Sequence, residues 1–211
     1  MKSPGESSAD FLLRHDGVQR VPNASIELFQ MRSFISRTQC RELIDLIDQD
    51  RRPSTLADAS DDHAFRTSET CDLAPEEPVV RELEALFAAL NGIDPDYGEP
   101  LQGQRYAQGQ EFKPHCDYFN RGGKDWDRYC SVAGQRTWTF MVYLNNVEAG
   151  GATRFKAVRK TFQPEAGKLV FWNNRRPDGS ENPSTIHHGM KVRRGVKYVI
   201  TKWYREKAWG W

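Results

Sequence analysis

The sequence predicts an α+β domain with a mainly β core, in which N-terminal helices support a sandwich or barrel of short strands. Apolar residues follow a helical period only in the first half of the chain. The second half consists of short strand-like runs separated by Gly, Pro and Asn turns. Its 211 residues suffice for one domain with a sizeable core. We therefore predict a flexible or partly ordered N-terminal arm over residues 1–20 and a single domain over residues 21–211.

Two helices are expected in the first half of the chain. A strand is predicted over residues 25–35, where apolar and polar residues alternate. Ser36 is then placed to cap a helix that runs to about Asp50, since its apolar residues recur at helical spacing on one face. A second helix is predicted over about residues 75–90, ended by Asn91 and Gly92. Each apolar stripe is expected to pack against the sheet.

Four longer strands are expected in the second half of the chain. They are predicted at residues 101–106, 137–145, 168–172 and 196–204. The segments 120–135 and 173–185 have no clear helical or strand pattern, and loops of that length are usually functional or disordered. The first of them, with Gly122 and Gly123 as a hinge, is a candidate lid.

Composition excludes several classes of protein. Lys plus Arg is 30 and Asp plus Glu is 29, so the net charge of +1 argues against nucleic-acid and membrane-surface partners. The apolar runs are far shorter than the roughly 20 residues of a membrane helix, and the N-terminus lacks the apolar core of a signal peptide. We expect a cytoplasmic protein. Without a CxxC pair, its four cysteines are expected to be reduced thiols.

Three residues have the chemistry of a metal site. His115 and Asp117 are two residues apart, which places both side chains on one face of an extended chain. His187 follows 72 residues later, at the start of a strand-like segment. Two histidines and one carboxylate, the His–Asp–His triad, leave three positions open on an octahedral ion, which suits non-haem Fe(II). Zinc is the competing metal, but an open triad without a Cys ligand or a general-base motif fits hydrolysis less well.

Several further motifs occur in order between about residues 25 and 206. They are Arg66-Thr67-Ser68, Gly98-Glu99, His115-x-Asp117, Tyr143-Leu144-Asn145-Asn146-Val147-Glu148-x-Gly150-Gly151-x-Thr153, Gly167-Lys168-x-Val170, Ile186-His187 and the run from Lys197 through Thr201 to Trp203. In order and separation these motifs resemble the prolyl 4-hydroxylase branch of the Fe(II)/2-oxoglutarate dioxygenases. The resemblance covers nearly the whole chain.

The resemblance implies a fold, a reaction and a set of cofactors. The fold would be a double-stranded β-helix, a jelly-roll variant, supported by N-terminal helices. The enzyme would use Fe(II), 2-oxoglutarate and O2, with ascorbate supporting activity, and would release succinate and CO2. It would 4-hydroxylate a prolyl residue in a peptide or protein. Hydroxylation of a free amino acid or other small metabolite is the alternative, and a monomer or homodimer is expected.

The resemblance also assigns roles to individual residues. The His–Asp–His triad would hold the iron, and the carboxylate of Asp117 favours hydroxylation over halogenation. Lys197, ten residues after His187, would bind the distal carboxylate of 2-oxoglutarate, which needs a fixed cation once it is buried. Tyr106 and Thr201 match positions that offer hydroxyl groups to the same carboxylate.

Three residues match positions near the substrate of peptidyl-proline hydroxylases, namely Glu99, Arg136 and Trp203. Trp203 would supply an aromatic wall and Arg136 a donor for peptide carbonyls. The alternatives are that Trp203 is a core residue and that Arg136 pairs with a carboxylate. His188 beside His187 leaves open which of the two faces the metal, although the ten-residue separation from Lys197 favours His187.

Overall fold

The computed structural model describes residues 8–54, 65–123 and 126–209. Within these ranges the strands form an eight-stranded major sheet, a four-stranded minor sheet and a two-stranded ribbon. The major-sheet strands are β1 Val18–Arg20, β2 Leu28–Met31, β3 Arg52–Pro53, β4 Glu69–Asp72, β5 Gln102–Tyr106, β7 Arg136–Tyr143, β11 Leu169–Asn173 and β14 Lys197–Arg205. The minor-sheet strands are β6 Phe112–His115, β9 Thr153–Phe155, β10 Lys160–Phe162 and β12 His187–Gly189. The ribbon pairs β8 Ala149–Gly150 with β13 Val192–Arg194.

The strands are antiparallel throughout the described pairings. The major sheet has the order β1-β2-β11-β7-β14-β5-β4-β3, and the minor sheet has the order β10-β9-β12-β6. The helices are α1 Ser8–Leu13, α2 Arg37–Gln49, α3 Pro78–Asn91 and α4 Trp126–Cys130, with 3-10 turns at Pro95–Tyr97 and Pro183–Thr185. Within the described ranges, none of these helices has the length and apolar character needed to cross a membrane.

Local sequence signals explain where α2 and α3 begin and end. Ser36 and Gln39 form a capping box, in which the Gln39 N–H donates to Ser36 Oγ over 3.2 Å and the Ser36 N–H donates to Gln39 Oε1 over 3.0 Å. Helix α3 begins at Pro78, where the missing N–H costs nothing because a first-turn N–H has no helical partner. It ends at Gly92, whose φ of 63° suits a residue without a Cβ.

The two faces of strand β7 contact two different hydrophobic clusters. Phe140 and Val142 belong to a cluster that includes α2 and α3, so this side of the major sheet is covered by helices. Met141 and Tyr143 alternate with them and join a cluster that includes Phe155 of the minor sheet. The space between the two sheets is therefore partly core and partly cavity. This arrangement is the predicted double-stranded β-helix supported by N-terminal helices.

Two predicted boundaries differ from the structure. Residues 8–20, predicted as part of a flexible or partly ordered arm, contain α1 and β1, and residues 1–7 of the predicted arm lie outside the described residues. Ala9 and Leu12 are spaced by one helical turn and are buried in the cluster beside α3, which accounts for the order of this segment. The strand predicted over residues 25–35 is limited to β2, since the chain turns at Ser33 with a φ of 52°.

Candidate active site

Pairing between two strands of the minor sheet brings the His–Asp–His triad together. His115 ends β6 and His187 begins β12, and the two residues are direct partners in the antiparallel pair. Asp117 follows β6 by two residues. Its Oδ1 lies 3.6 Å from His115 Nε2 and 3.8 Å from His187 Nε2. One ligand atom from each of the three residues lies within 4.8 Å of the other two, so a single ion can contact all three.

The protonation pattern of the triad suits a divalent cation. His115 Nδ1 lies 2.7 Å from the carbonyl oxygen of Lys113, and His187 Nδ1 lies 3.0 Å from that of Thr185. A carbonyl only accepts, so each Nδ1 carries a hydrogen and each Nε2 is the ring nitrogen left to face the site. Burial, followed by the neighbouring His187, lowers the pKa of His115 to about 3, which keeps that imidazole neutral at pH 7.

Asp117 supplies the negative charge of the triad. Burial by itself raises the pKa of this carboxyl, but the two imidazoles, Arg136 and the Thr139 hydroxyl outweigh it and hold the pKa below its ordinary value. Its Oδ2 accepts a hydrogen bond of 2.7 Å from Thr139 Oγ1, which leaves Oδ1 towards the imidazoles. Two imidazole nitrogens and one carboxylate oxygen therefore fit a non-haem Fe(II) ion.

A buried ammonium group lies in the same cavity. Lys197 begins β14 opposite Tyr106 of β5, is 2% exposed, and has its Nζ 4.9 Å from the centroid of the Tyr106 ring. Among the described residues, none forms a salt bridge with it, and burial lowers the pKa of Lys197 to about 7. A buried cation without a counter-ion is costly, so this position is suited to receive an anionic group. Thr201, four residues along β14, is also buried and lines the same cavity.

One cavity of about 450 Å³, measured to its open mouth, joins these groups. Its walls include seven of the predicted site residues, namely Tyr106, His115, Asp117, His187, Lys197, Thr201 and Trp203. Arg66 also lines the cavity, donates from Nε to Ser68 Oγ over 3.0 Å and hydrogen-bonds Tyr106. Arg66 was not predicted as a site residue, although the Arg66-Thr67-Ser68 motif in the sequence could have indicated it.

Two of the three predicted substrate residues bind each other. Arg136 donates from Nε and Nη2 to the two carboxylate oxygens of Glu99, each over 2.7 Å, and Arg205 Nη1 donates to Glu99 Oε1 over 2.8 Å. Neither Glu99 nor Arg136 lines the cavity, whereas Trp203 does and stacks 3.9 Å below the Arg136 guanidinium. The Trp203 indole N–H is buried without a hydrogen-bond partner in the described residues. Substrate contact by these three residues stays a prediction.

The structure separates the two neighbouring histidines. His187 turns towards Asp117, whereas His188 points to the other side of β12, where its Nε2 lies 2.9 Å from Glu111 Oε2. The histidine that lies beside Asp117 is therefore His187, the one that the sequence favoured.

The segment 120–135, the candidate lid, is closed at its base by hydrogen bonds. The Gln135 side chain accepts from the Phe119 N–H and donates to the Phe119 carbonyl, each over 2.8 Å. The ring of Phe119 also stacks on Tyr129 at 5.3 Å between centroids. Residues 124 and 125 lie outside the described residues, and a lid motion stays a prediction.

Comparisons with known proteins agree with this site. Residues 101–205 match the sequence model of the 2OG-Fe(II) oxygenase superfamily, which defines the class. The protein named probable prolyl 4-hydroxylase 10 of Arabidopsis thaliana is 32% identical over 87% of this chain and 69% of its own length. For probable prolyl 4-hydroxylase 3 of the same plant, the identity is 33% and the shares are 83% and 68%. The chain belongs to the prolyl 4-hydroxylase family of these oxygenases, enzymes that use Fe(II), 2-oxoglutarate and O2.

A solved structure supports the same assignment. The 2-oxoglutarate complex of the viral collagen prolyl hydroxylase from Paramecium Bursaria Chlorella virus-1 superposes with a TM-score of 0.64. The two sequences are 26% identical, and the match covers 84% of this chain and 95% of the viral one. A Pseudomonas putida prolyl-4-hydroxylase, 19% identical with a TM-score of 0.60, covers 85% of this chain and 92% of its own, and shares the fold.

Proposed function

We propose that this enzyme 4-hydroxylates a prolyl residue in a peptide or protein. The observation that carries the proposal is the pairing of an open His–Asp–His triad with a buried ammonium group across one cavity. Relatives named as prolyl 4-hydroxylases match over most of this chain, which supports proline as the target. The viral relative is named as a collagen prolyl hydroxylase, which supports a peptide substrate.

The triad would hold Fe(II) through His115 Nε2, Asp117 Oδ1 and His187 Nε2. When bound, the iron with 2-oxoglutarate and O2 supplies the oxidation that replaces a C–H bond by C–OH and yields succinate and CO2. The protein's own task is to present three ligands on one side only, so that the remaining positions stay available to the cosubstrates.

Lys197 would hold the distal carboxylate of 2-oxoglutarate by a charge-assisted hydrogen bond in a buried site. Thr201 lies on the same side of β14 and offers a hydroxyl to that carboxylate. The apolar side chains of Met141 and Val199 also line the cavity, and they exclude water around the bound molecule. Together these residues would fix the cosubstrate relative to the triad.

Trp203 would form the wall against which the substrate packs. Its ring lines the cavity and is held from behind by the Arg136 guanidinium, which Glu99 fixes in place. In this proposal Glu99 and Arg136 act on the substrate through Trp203.

The test is a turnover screen of the purified protein with Fe(II), ascorbate and 2-oxoglutarate, offered either proline-containing peptides or free proline and other amino acids. We expect succinate release and the gain of one oxygen at C4 of a prolyl residue in a peptide. The Asp117→Ala variant is the matched control, and it should give neither product. Oxygen incorporation into a free amino acid, with all peptides unchanged, would overturn the peptide assignment and favour the small-molecule alternative.

A further inference from the structure

A chain of buried hydrogen bonds leads to the oxygen of Asp117 that faces away from the imidazoles. Asp117 Oδ2 accepts from Thr139 Oγ1 over 2.7 Å, Thr139 Oγ1 lies 2.9 Å from Asn174 Nδ2, and Asn174 Oδ1 lies 3.0 Å from Trp172 Nε1. The three donor residues of this chain, Thr139, Asn174 and Trp172, are each at most 1% exposed. Water therefore cannot replace a lost partner at low cost.

The direction of every hydrogen bond in this chain is fixed by chemistry. The indole Nε1 of Trp172 only donates, so the Asn174 amide must turn its oxygen to Trp172 and its NH2 group to Thr139. The NH2 group only donates, so the Thr139 oxygen accepts from it. The single hydroxyl hydrogen of Thr139 is then directed to the carboxylate of Asp117, which is acceptor-only when ionised.

The same residues are fixed by the sheets on which they lie. Thr139 is in the middle of β7, and Asn174 follows β11, where its N–H donates to the Thr137 carbonyl over 2.7 Å. Trp172 also packs edge-on against the His187 ring, with 4.8 Å between centroids. One aromatic side chain therefore contacts one member of the triad and begins the hydrogen-bond chain to another.

A carboxylate held in this way contacts a metal through one oxygen. If Oδ2 were free, Asp117 could rotate and chelate the ion with both oxygens, which would occupy a position that the bidentate cosubstrate needs. We propose that Trp172, Asn174 and Thr139 form a positioning relay that holds Asp117 in a single-oxygen orientation towards the metal. The proposal rests on the metal-binding role of Asp117 proposed above.

Thr139→Val is the direct test, because valine matches the shape of threonine and removes the hydroxyl. Titration of the metal-free full chain with Mn(II) alone should show affinity weakened by about 10–100-fold, as is typical when a partner of a metal ligand is lost. Thr139→Ser keeps the donor and should restore affinity to within about threefold of the wild type.

Thr137→Val is the matched control on the same strand. The Thr137 hydroxyl donates to the Tyr204 carbonyl over 3.1 Å, and Thr137 contacts Asn174 through its backbone carbonyl, which valine keeps. Loss of this hydroxyl should therefore leave Mn(II) affinity unchanged. Asn174→Asp provides an independent test, because it removes the NH2 donor and places a competing acceptor beside the Thr139 hydroxyl. It should weaken Mn(II) binding as Thr139→Val does.

Co(II) absorption supplies a readout that a purely structural role would not change. The spectrum of bound Co(II) depends on the number and arrangement of its ligands, so Thr139→Val and Asn174→Asp should both alter it, and Thr137→Val should not. Wild-type Mn(II) affinity and Co(II) spectrum in Thr139→Val, with Asp117→Ala unable to bind either ion, would overturn the relay alone. Retained metal binding in Asp117→Ala would instead overturn the proposed metal site. If Thr139→Val fails to fold, the Mn(II) affinities and Co(II) spectra of Thr139→Ser and Asn174→Asp are compared with those of the wild type instead. Wild-type values in Asn174→Asp would then overturn the relay.

Discussion

The two ends of the cavity differ in whether their buried polar groups have partners within the protein. At the triad end, each atom that faces away from the metal position has a partner: His115 Nδ1 and His187 Nδ1 bind backbone carbonyls, and Asp117 Oδ2 binds Thr139. At the lysine end, the Lys197 ammonium lies near the rings of Tyr106 and Tyr143 and forms no salt bridge with any described residue. One end is completed by hydrogen bonds within the protein, and the other holds a buried cation that has no counter-ion among the described residues.

The opposite charges at the two ends of the cavity indicate which kind of ligand suits each end. The triad presents two lone pairs and a negative charge, which attract a cation, and Lys197 presents a positive charge, which attracts an anion. Since the triad's outward-facing groups are already satisfied, its geometry is set before a metal arrives. In the proposed function the ammonium would gain its counter-ion when the carboxylate of 2-oxoglutarate enters, so binding at that end would also stabilise the folded protein.

The largest effect is expected at the triad. His187→Ala removes one of the three ligands, and we expect Fe(II)-dependent release of succinate to fall below detection and Mn(II) affinity to fall by more than about 100-fold. His188→Ala is the matched control, because His188 binds Glu111 on the other side of β12. Loss of activity in His188→Ala with normal activity in His187→Ala would show that the ligand assignment is wrong.

At the lysine end we expect loss of affinity together with a gain of stability. Lys197→Met keeps a side chain of similar length and removes the buried charge, so the KM for 2-oxoglutarate should rise by about 30-fold or more. The same substitution should raise the melting temperature of the ligand-free protein, because an uncompensated buried ammonium destabilises the fold. Initial-rate kinetics at varied 2-oxoglutarate checks the KM, and calorimetry of the ligand-free proteins checks the melting temperature. A lower Tm in the ligand-free variant would contradict the second expectation.

Binding of 2-oxoglutarate at the lysine end is expected to depend on pH. Because the pKa of Lys197 is lowered to about 7, the ammonium loses its proton as the pH rises above that value. The dissociation constant of 2-oxoglutarate for the Mn(II)-loaded protein, measured without O2, should therefore increase by up to about tenfold per pH unit between about pH 7 and 9. Lys197→Met should show no such increase, and a flat wild-type profile would contradict the prediction.

The same pKa shift has a defined sign for stability. In the unfolded chain a lysine stays protonated to about pH 10.4, so between about pH 7 and 10 the unfolded state binds more protons at this position than the folded state. The contribution of Lys197 to the free energy of unfolding of the ligand-free protein therefore increases with pH across this window. Denaturation of wild type and Lys197→Met at several pH values isolates that contribution.

The smallest effect is expected for Thr201→Val. This change removes one neutral hydroxyl near Lys197 and keeps the volume of the side chain. A neutral hydrogen bond contributes about 0.5–1.5 kcal/mol, so the KM for 2-oxoglutarate should rise by only about 2–12-fold with kcat unchanged. A fall in kcat without a change in KM would place Thr201 elsewhere in the reaction.

The sequence predicted the long elements of the fold well. The capping signal at Ser36 placed α2 to within one residue, and the four longer strands were each placed to within two residues at either end. The minor-sheet strands are only three or four residues long, so they contain too few alternations to show a period. Their pairing depends on contacts between distant segments, which periodicity does not report.

Site residues that belong to a sequence motif could be predicted, whereas residues that are joined only by the packing of separate strands could not. His115, Asp117 and Lys197 were found because their spacing resembles a family pattern. Thr139 and Asn174 were missed because the relay joins residues from separate strands. The signal available was a polar residue inside a buried apolar strand, which often marks a hydrogen bond whose partner the sequence does not reveal.

The register between β6 and β12 decides which histidine lies at the proposed metal site. His115 and His187 are opposite partners, and an irregularity between His187 and Gly189 fixes how β12 aligns with β6. A slip of one residue would turn His187 outwards and bring His188 into the cavity, because successive side chains point to opposite faces. A single-residue insertion ahead of β12 could therefore replace His187 by His188 at the proposed metal site.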